Sequence, residues 1–201
     1  MVPSRVLTPP PPPPPLAPQI DFDSRKKGDV LNDCLMTVDG TDFRIPQKGV
    51  AKKGNAFASH KYAGKSALRY ELGVSILGGD LVWIQGPYPT GKFTDIMIFN
   101  KVLTNFLDPG ERVEANKGYA GHPDKIKCPA NLANPPENRA MQGRVRARHE
   151  MLNGCLKTWG ILSQVFRHNI LRHGEVLRAC AVLTQLAIDD GEKLFEVEYR
   201  D

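Results

Sequence analysis

Seven consecutive prolines, Pro9 to Pro15, bar the start of this chain from any helix or sheet. Each ring fixes the backbone and removes an amide donor, so residues 1 to about 20 are expected as extended polyproline or a disordered tail. A solvated tail is preferred over a ligand for a proline-reading domain, because no basic or aromatic anchor flanks the run. Ser24-Arg-Lys-Lys-Gly-Asp29 reads as charged linker, which divides the chain into a tail and linker over 1–30 and a folded domain over 31–201.

With 41% hydrophobic and 24% charged residues in 201, the chain as a whole has the balance of a soluble globular protein. No stretch reaches the roughly 18 apolar residues of a membrane helix. Prolines stand where a secretory signal would need a helical apolar run, so an intracellular location is expected. Cys34, Cys128, Cys155 and Cys180 form no C-x-x-C pair, which suggests reduced thiols and neither a zinc ribbon nor a disulfide framework.

Patterning supplies the elements. The apolar run Cys34 to Val38 stops at Asp39-Gly40, a turn signal, and is the first expected strand. Ala67 to Leu77 and Leu81 to Gln85, joined through Gly78-Gly79-Asp80, predict an antiparallel hairpin. Thr94 caps a helix expected from Asp95 to Phe106, ended by Asp108-Pro109-Gly110, and a short strand follows over Glu111 to Ala115. After a loop containing Pro123, Pro129, Pro135 and Pro136, a long helix is expected from Glu137 to Phe166. Met141, Val145, Leu152, Leu156 and Trp159 would form its packed side, with Glu150, Gly154 and Lys157 on its free face. A last helix spans about Gly174 to Asp189. This order predicts an α/β domain, a mixed sheet flanked by helices.

Acidic residues at element ends raise a chemical question, since hydrolytic phosphoryl transfer places divalent metals between carboxylates from distant parts of a chain. Asp39, Asp95 and Glu150 fit. Each also has a plain structural account: a turn for Asp39, a helix-dipole partner for Asp95, an i, i+4 pair with Arg146 for Glu150. Residues 139–178 hold eight Lys and Arg against two Glu, a net +6 that leaves −1 for the rest of the +5 chain. Arg144, Arg146, Arg148 and Lys157 on the long helix are therefore expected to meet phosphates, with His149, His168 and His173 adding conditional charge. Gly86 to Lys92 matches G-x-x-x-x-G-K, but Phe93 replaces the magnesium-binding hydroxyl, and Pro87 and Pro89 remove phosphate-cradling donors. No nucleotide cofactor is expected there, although Lys92 remains a candidate phosphate contact.

Six motifs then occur in order: Thr37-Val-Asp39-Gly-Thr41, Tyr70-Glu-Leu-Gly73, Gly79-Asp-Leu-Val-Trp83, Gly91-Lys-Phe-Thr-Asp95, Val113-Glu-Ala-Asn-Lys-Gly-Tyr119 and Arg146-x-x-x-Glu150-x-x-x-Gly-x-Leu-Lys157. They resemble the DDE superfamily endonuclease domain of Harbinger-type transposases and their domesticated relatives, over about residues 31–201. The resemblance implies a ribonuclease-H-like fold, a DNA substrate, Mg2+ or Mn2+, and strand cleavage by metal-activated water. It implies Asp39, Asp95 and Glu150 as catalytic metal ligands. Asn116 stands where the family has an Asp and is the fourth metal residue that the resemblance implies, through its amide oxygen, which lacks the carboxylate's charge and has Lys117 beside it; Glu114 is a substitute only if the strand end shifts. That departure motivates a second expectation, a catalytically inactive DNA-binding or protein-interaction module on the same fold. Family members usually carry an upstream DNA-recognition region, so a separate recognition protein is expected as a partner. A nuclear location would follow from the substrate in a eukaryotic source, with no basic signal beyond Arg25-Lys26-Lys27.

Overall fold

The computed structural model describes residues 20–26, 34–46, 56–128 and 135–191, and within the last stretch gives no side chains for 135–139, 141 and 142. The proline tract, residues 27–33 and the Met141 side chain lie outside the described residues.

A turn at Asp39-Gly40 is not what forms. Strand β1 (Cys34–Arg44) runs straight through it, and Asp39 and Gly40 pair with Leu72 and Glu71 of β2 (Ala67–Ser75) in an antiparallel ladder. Turn preference is a local term; here the continuous antiparallel ladder with β2 outweighs it. The hairpin continues into β3 (Leu81–Pro89), where Tyr88 and Pro89 still pair with Arg69 and Leu68, four residues beyond the expected end. Much of the G-x-x-x-x-G-K stretch is therefore strand.

Helix α1 (Asp95–Lys101) is shorter than its apolar spacing suggested, because a separate 3-10 turn takes Leu103–Asn105. Strand β4 (Arg112–Ala115) lies parallel to β1, and β5 (Ile126–Lys127) lies parallel to β4. The two-residue β5 falls in what reads as loop, being too short to show an alternation. Five strands form one mixed sheet in the order β3-β2-β1-β4-β5.

Helix α2 (Pro135–Thr158) stops eight residues before the expected Phe166. Trp159 turns extended, its indole N–H donates to Thr184 Oγ1 at 3.0 Å, and the short α3 (Gly160–Ser163) follows. Helix α4 (His173–Asp189) closes the described chain. One apolar cluster joins Phe43, Tyr70 and Leu72 to Leu152, Leu156 and Leu177; another joins Met36, Val38 and Val113 to Phe99 and Leu103.

The linker expectation also needs correction at its start. Phe22–Lys26 forms a 3-10 turn in which Arg25 is buried, its Nε 2.8 Å from Glu111 Oε1 and its guanidinium over the Phe22 ring. Arg25 is thus a packing residue and no part of an exposed basic signal. All four cysteines are free thiols, and among the described residues no helix is long and apolar enough to cross a membrane.

Candidate functional site

Register brings the first two groups together. Val38 of β1 lies opposite Ala115 of the parallel β4, so the next residues, Asp39 within β1 and Asn116 just past β4, come side by side. Asn116 Nδ2 donates to Asp39 Oδ1 at 2.6 Å, and the Gly40 amide donates to the same oxygen at 2.8 Å. The other end of the amide is committed too: Asn116 Oδ1 accepts from the Gly118 N–H at 2.7 Å. That bond orients the side chain, presenting its NH2 and not its oxygen to Asp39.

Asp95, the first residue of α1, reaches the same place because two glycines leave room. A Cβ on Gly40 would overlap Asp95 Oδ1, and one on Gly118 would lie 2.9 Å from Oδ2. Arg69 of β2 links this carboxylate to the sheet, with Nη1 3.1 Å from Asp95 Oδ1 and Nε 2.8 Å from Asp42 Oδ1.

These groups face α2 across an open cleft of about 540 Å3, whose lining includes Asp39, Asp95 and Asn116 on one side and Arg146, His149 and Glu150 on the other. Lys61 and Lys117 also line it. Lys61 Nζ donates to the Gly40 carbonyl at 2.6 Å. Glu150 sits at the rim, 64% exposed, and pairs with Arg146 at 2.6 Å. Asn153, one helical turn on, accepts from Thr41 Oγ1 at 2.7 Å and ties α2 to β1.

Burial pushes both aspartates above the ordinary carboxylate range; Lys61 opposes this most at Asp39, and Arg69 most at Asp95, where the Asp39 charge adds to the rise. Behind them Glu71 is fully buried, and burial raises its carboxyl to about 8 although the Trp83 indole donates to Oε2 at 3.0 Å. Burial drives His149 down to about 3 against a bond to the Thr37 backbone, so its ring is neutral. Nε2 of that ring is buried and has no hydrogen-bond partner. His173 is buried as well, held down to about 4, with Nδ1 2.8 Å from the Tyr70 hydroxyl. Neither histidine supplies the conditional surface charge expected of it.

The expected phosphate contacts divide. Arg146 is 79% exposed at the cleft, and Lys157 and Lys92 are exposed but outside its lining. Arg148 is only 4% exposed and points to Glu114, 3.5 Å away; Arg144 stands 3.7 Å from the same carboxylate. Arg148 is thus a packing residue, placed by a helix rotation that charge counting cannot sense. Glu114, buried between these arginines, is not a substitute ligand in the cleft. Lys61 and Lys117 were missed: Lys61 sits on an isolated 3-10 turn (His60–Tyr62), and only the adjacency of Lys117 to Asn116 hinted at its place.

Asp39, Asp95, Glu150 and Asn116 therefore line one cleft, in which Asn116 donates an N–H to Asp39. Among the described residues no three His, Cys, Asp or Glu side chains stand close enough to enclose a metal ion. No protein-family model, curated protein or solved structure matches the chain.

Proposed function

We propose that this chain is a transposase-derived endonuclease domain of the DDE type, acting on DNA phosphodiesters in the cleft that Asp39, Asp95 and Glu150 share. The observation that carries the reading is this convergence: residues from β1, the start of α1, the end of β4 and the middle of α2 line one cavity. A sheet ordered β3-β2-β1-β4-β5, with an antiparallel meander followed by two parallel strands, is what a ribonuclease-H-like fold would have.

The residues present fit one divalent cation. Asp39 and Asp95 are oxygen donors on one wall, with Asp95 Oδ1 buried and ion-paired to Arg69 Nη1 at 3.1 Å. They do not fit a second, because Asn116 turns an N–H toward Asp39. When bound, Mg2+ or Mn2+ would polarise the phosphodiester and acidify the attacking water. Lys61, Lys117 and Arg146 supply positive charge for the flanking phosphates. The Gly40 and Asn116 N–H groups hold the Asp39 carboxylate in one orientation.

Supercoiled plasmid with Mg2+ or Mn2+ tests this. Nicking by the native protein that disappears in Asp39→Asn is the expected result; no nicking by the native protein overturns it. The Asn116–Asp39 hydrogen bond favours a second reading, a DNA-binding module that has lost cleavage. It predicts salt-sensitive DNA binding without nicking, and nicking restored by Asn116→Asp.

A further inference from the structure

Leu171 is the most exposed large hydrophobic side chain among the described residues, at 85%. The turn that carries it is fixed. Asn169 Oδ1 accepts from the Leu171 amide at 3.1 Å, and the Asn169 carbonyl accepts from the Arg172 amide at 2.9 Å, closing a 3-10 turn over Ile170–Arg172. Both ends are anchored in the core. Ile170 packs against the cluster that holds Phe43 and Leu177, and His173 is buried with Nδ1 2.8 Å from the Tyr70 hydroxyl. Between two inward residues the fold holds a leucine out in solvent.

Its surroundings are cationic. Arg167, His168 and Arg172 flank it in the chain and Arg178 follows on α4, all four exposed. Glu175, paired with Arg172 at 3.1 Å, is the one acidic residue between positions 164 and 178. Protein hot spots sit in apolar, water-excluding surroundings, which arginines on both sides of a leucine do not provide. Nucleic acid suits the combination better: an apolar side chain unstacks a base step while basic groups hold the flanking phosphates.

The turn is also tied to the strand that bears Asp39. The Phe166 N–H donates to the Arg44 carbonyl at 2.9 Å, and the Arg44 guanidinium lies over the ring of Tyr62, the neighbour of Lys61 in the cleft. Arg44 ends β1 five residues after Asp39, roughly 17 Å at ~3.3 Å per residue, or about five base pairs at ~3.4 Å each. A duplex held at the cleft is long enough to meet the turn as well.

We infer that Leu171 is a wedge that inserts between two base pairs of DNA beside the cleft, with Arg167 and Arg172 on the phosphates to either side. This rests on the DNA reading of the cleft. The arginines hold the backbone of any sequence, whereas the leucine enters where stacking yields, so the contact favours pyrimidine–purine steps such as TA.

The test measures base unstacking on the full chain, with no metal and no cleavage. A duplex of about 30 base pairs rich in TA steps carries 2-aminopurine, which brightens on leaving the stack, in place of several adenines. Saturating native protein should raise the fluorescence about twofold or more. Leu171→Ala should remove the rise while weakening binding by no more than about tenfold, because the phosphate contacts remain. Leu171→Met, an apolar side chain of similar size, should keep it. Leu171 is so exposed that both variants should unfold in urea at the native midpoint. An equal rise with Leu171→Ala overturns the assignment, as does native binding without a rise; in either case salt-sensitive binding leaves the DNA reading of the cleft standing. Self-association of the native chain without DNA, abolished by Leu171→Ala, would assign the leucine to a second copy and overturn the wedge as well. If neither the native protein nor Asn116→Asp binds the duplex, the DNA function falls, and this inference with it.

Discussion

Asn116 donates its side-chain N–H to Asp39 Oδ1 at 2.6 Å across the parallel β1–β4 edge, with its own oxygen occupied by the Gly118 amide. The site thereby carries a neutral donor against its most central carboxylate, and Lys117 beside it adds a positive charge to the cleft. Both features oppose a cation electrostatically.

Replacing Asn116 with Asp exchanges that donor for a second oxygen ligand. Mn2+ affinity should rise by about tenfold or more, equivalent to ~1.4 kcal/mol, as titration of the purified protein would show. An unchanged affinity would mean that the amide is not what restrains the site.

DNA binding should separate exposed from buried arginines. Arg146→Gln or Lys117→Gln each removes about one phosphate contact, lowering the slope of log affinity against log salt by ~0.9. Arg148→Gln strands Glu114 between fewer charges, so it should lower unfolding stability while leaving the salt slope of the folded fraction intact.

Two glycines should respond with opposite sign. A Cβ at Gly40 collides with the Asp95 carboxylate, so Gly40→Ala should cost about 1–3 kcal/mol in urea unfolding and displace Asp95. Gly154 lies in α2, where an added methyl would meet nothing within 4 Å, so Gly154→Ala should stabilise by roughly 0.5–1 kcal/mol.

Glu71 makes stability depend on pH. Its carboxyl keeps the proton to about 8 in the fold but releases it near the ordinary 4.5 once unfolded. Its contribution is therefore full below 4.5 and is lost as pH rises toward 8, by up to about 1.4 kcal/mol per unit. His173, pushed down to about 4 from 6.5, acts oppositely: its contribution is complete above 6.5 and is lost on acidification toward 4. Denaturant titrations between pH 6.5 and 8 isolate the first group. Stability should fall across that range in the native protein and be flat in Glu71→Gln; a native profile that rises would contradict the burial of a protonated acid.

Much of the architecture was legible from local signals. The hairpin of β2 and β3 follows from two apolar runs about Gly78-Gly79-Asp80, and α4 from apolar spacing, because turn chemistry and periodicity act over a few residues. Acid chemistry likewise singled out Asp39, Asp95 and Glu150 as residues to watch. What sequence could not decide is everything set by partners far along the chain. Asp39 lies within a strand because the ladder with β2 carries β1 past the end of β4, Asn116 meets it because Val38 falls opposite Ala115, and Arg148 and His149 are buried because of how α2 is rotated against β1 and β4. Strand register and helix rotation are collective outcomes of packing the whole core, and no window of neighbouring residues contains them.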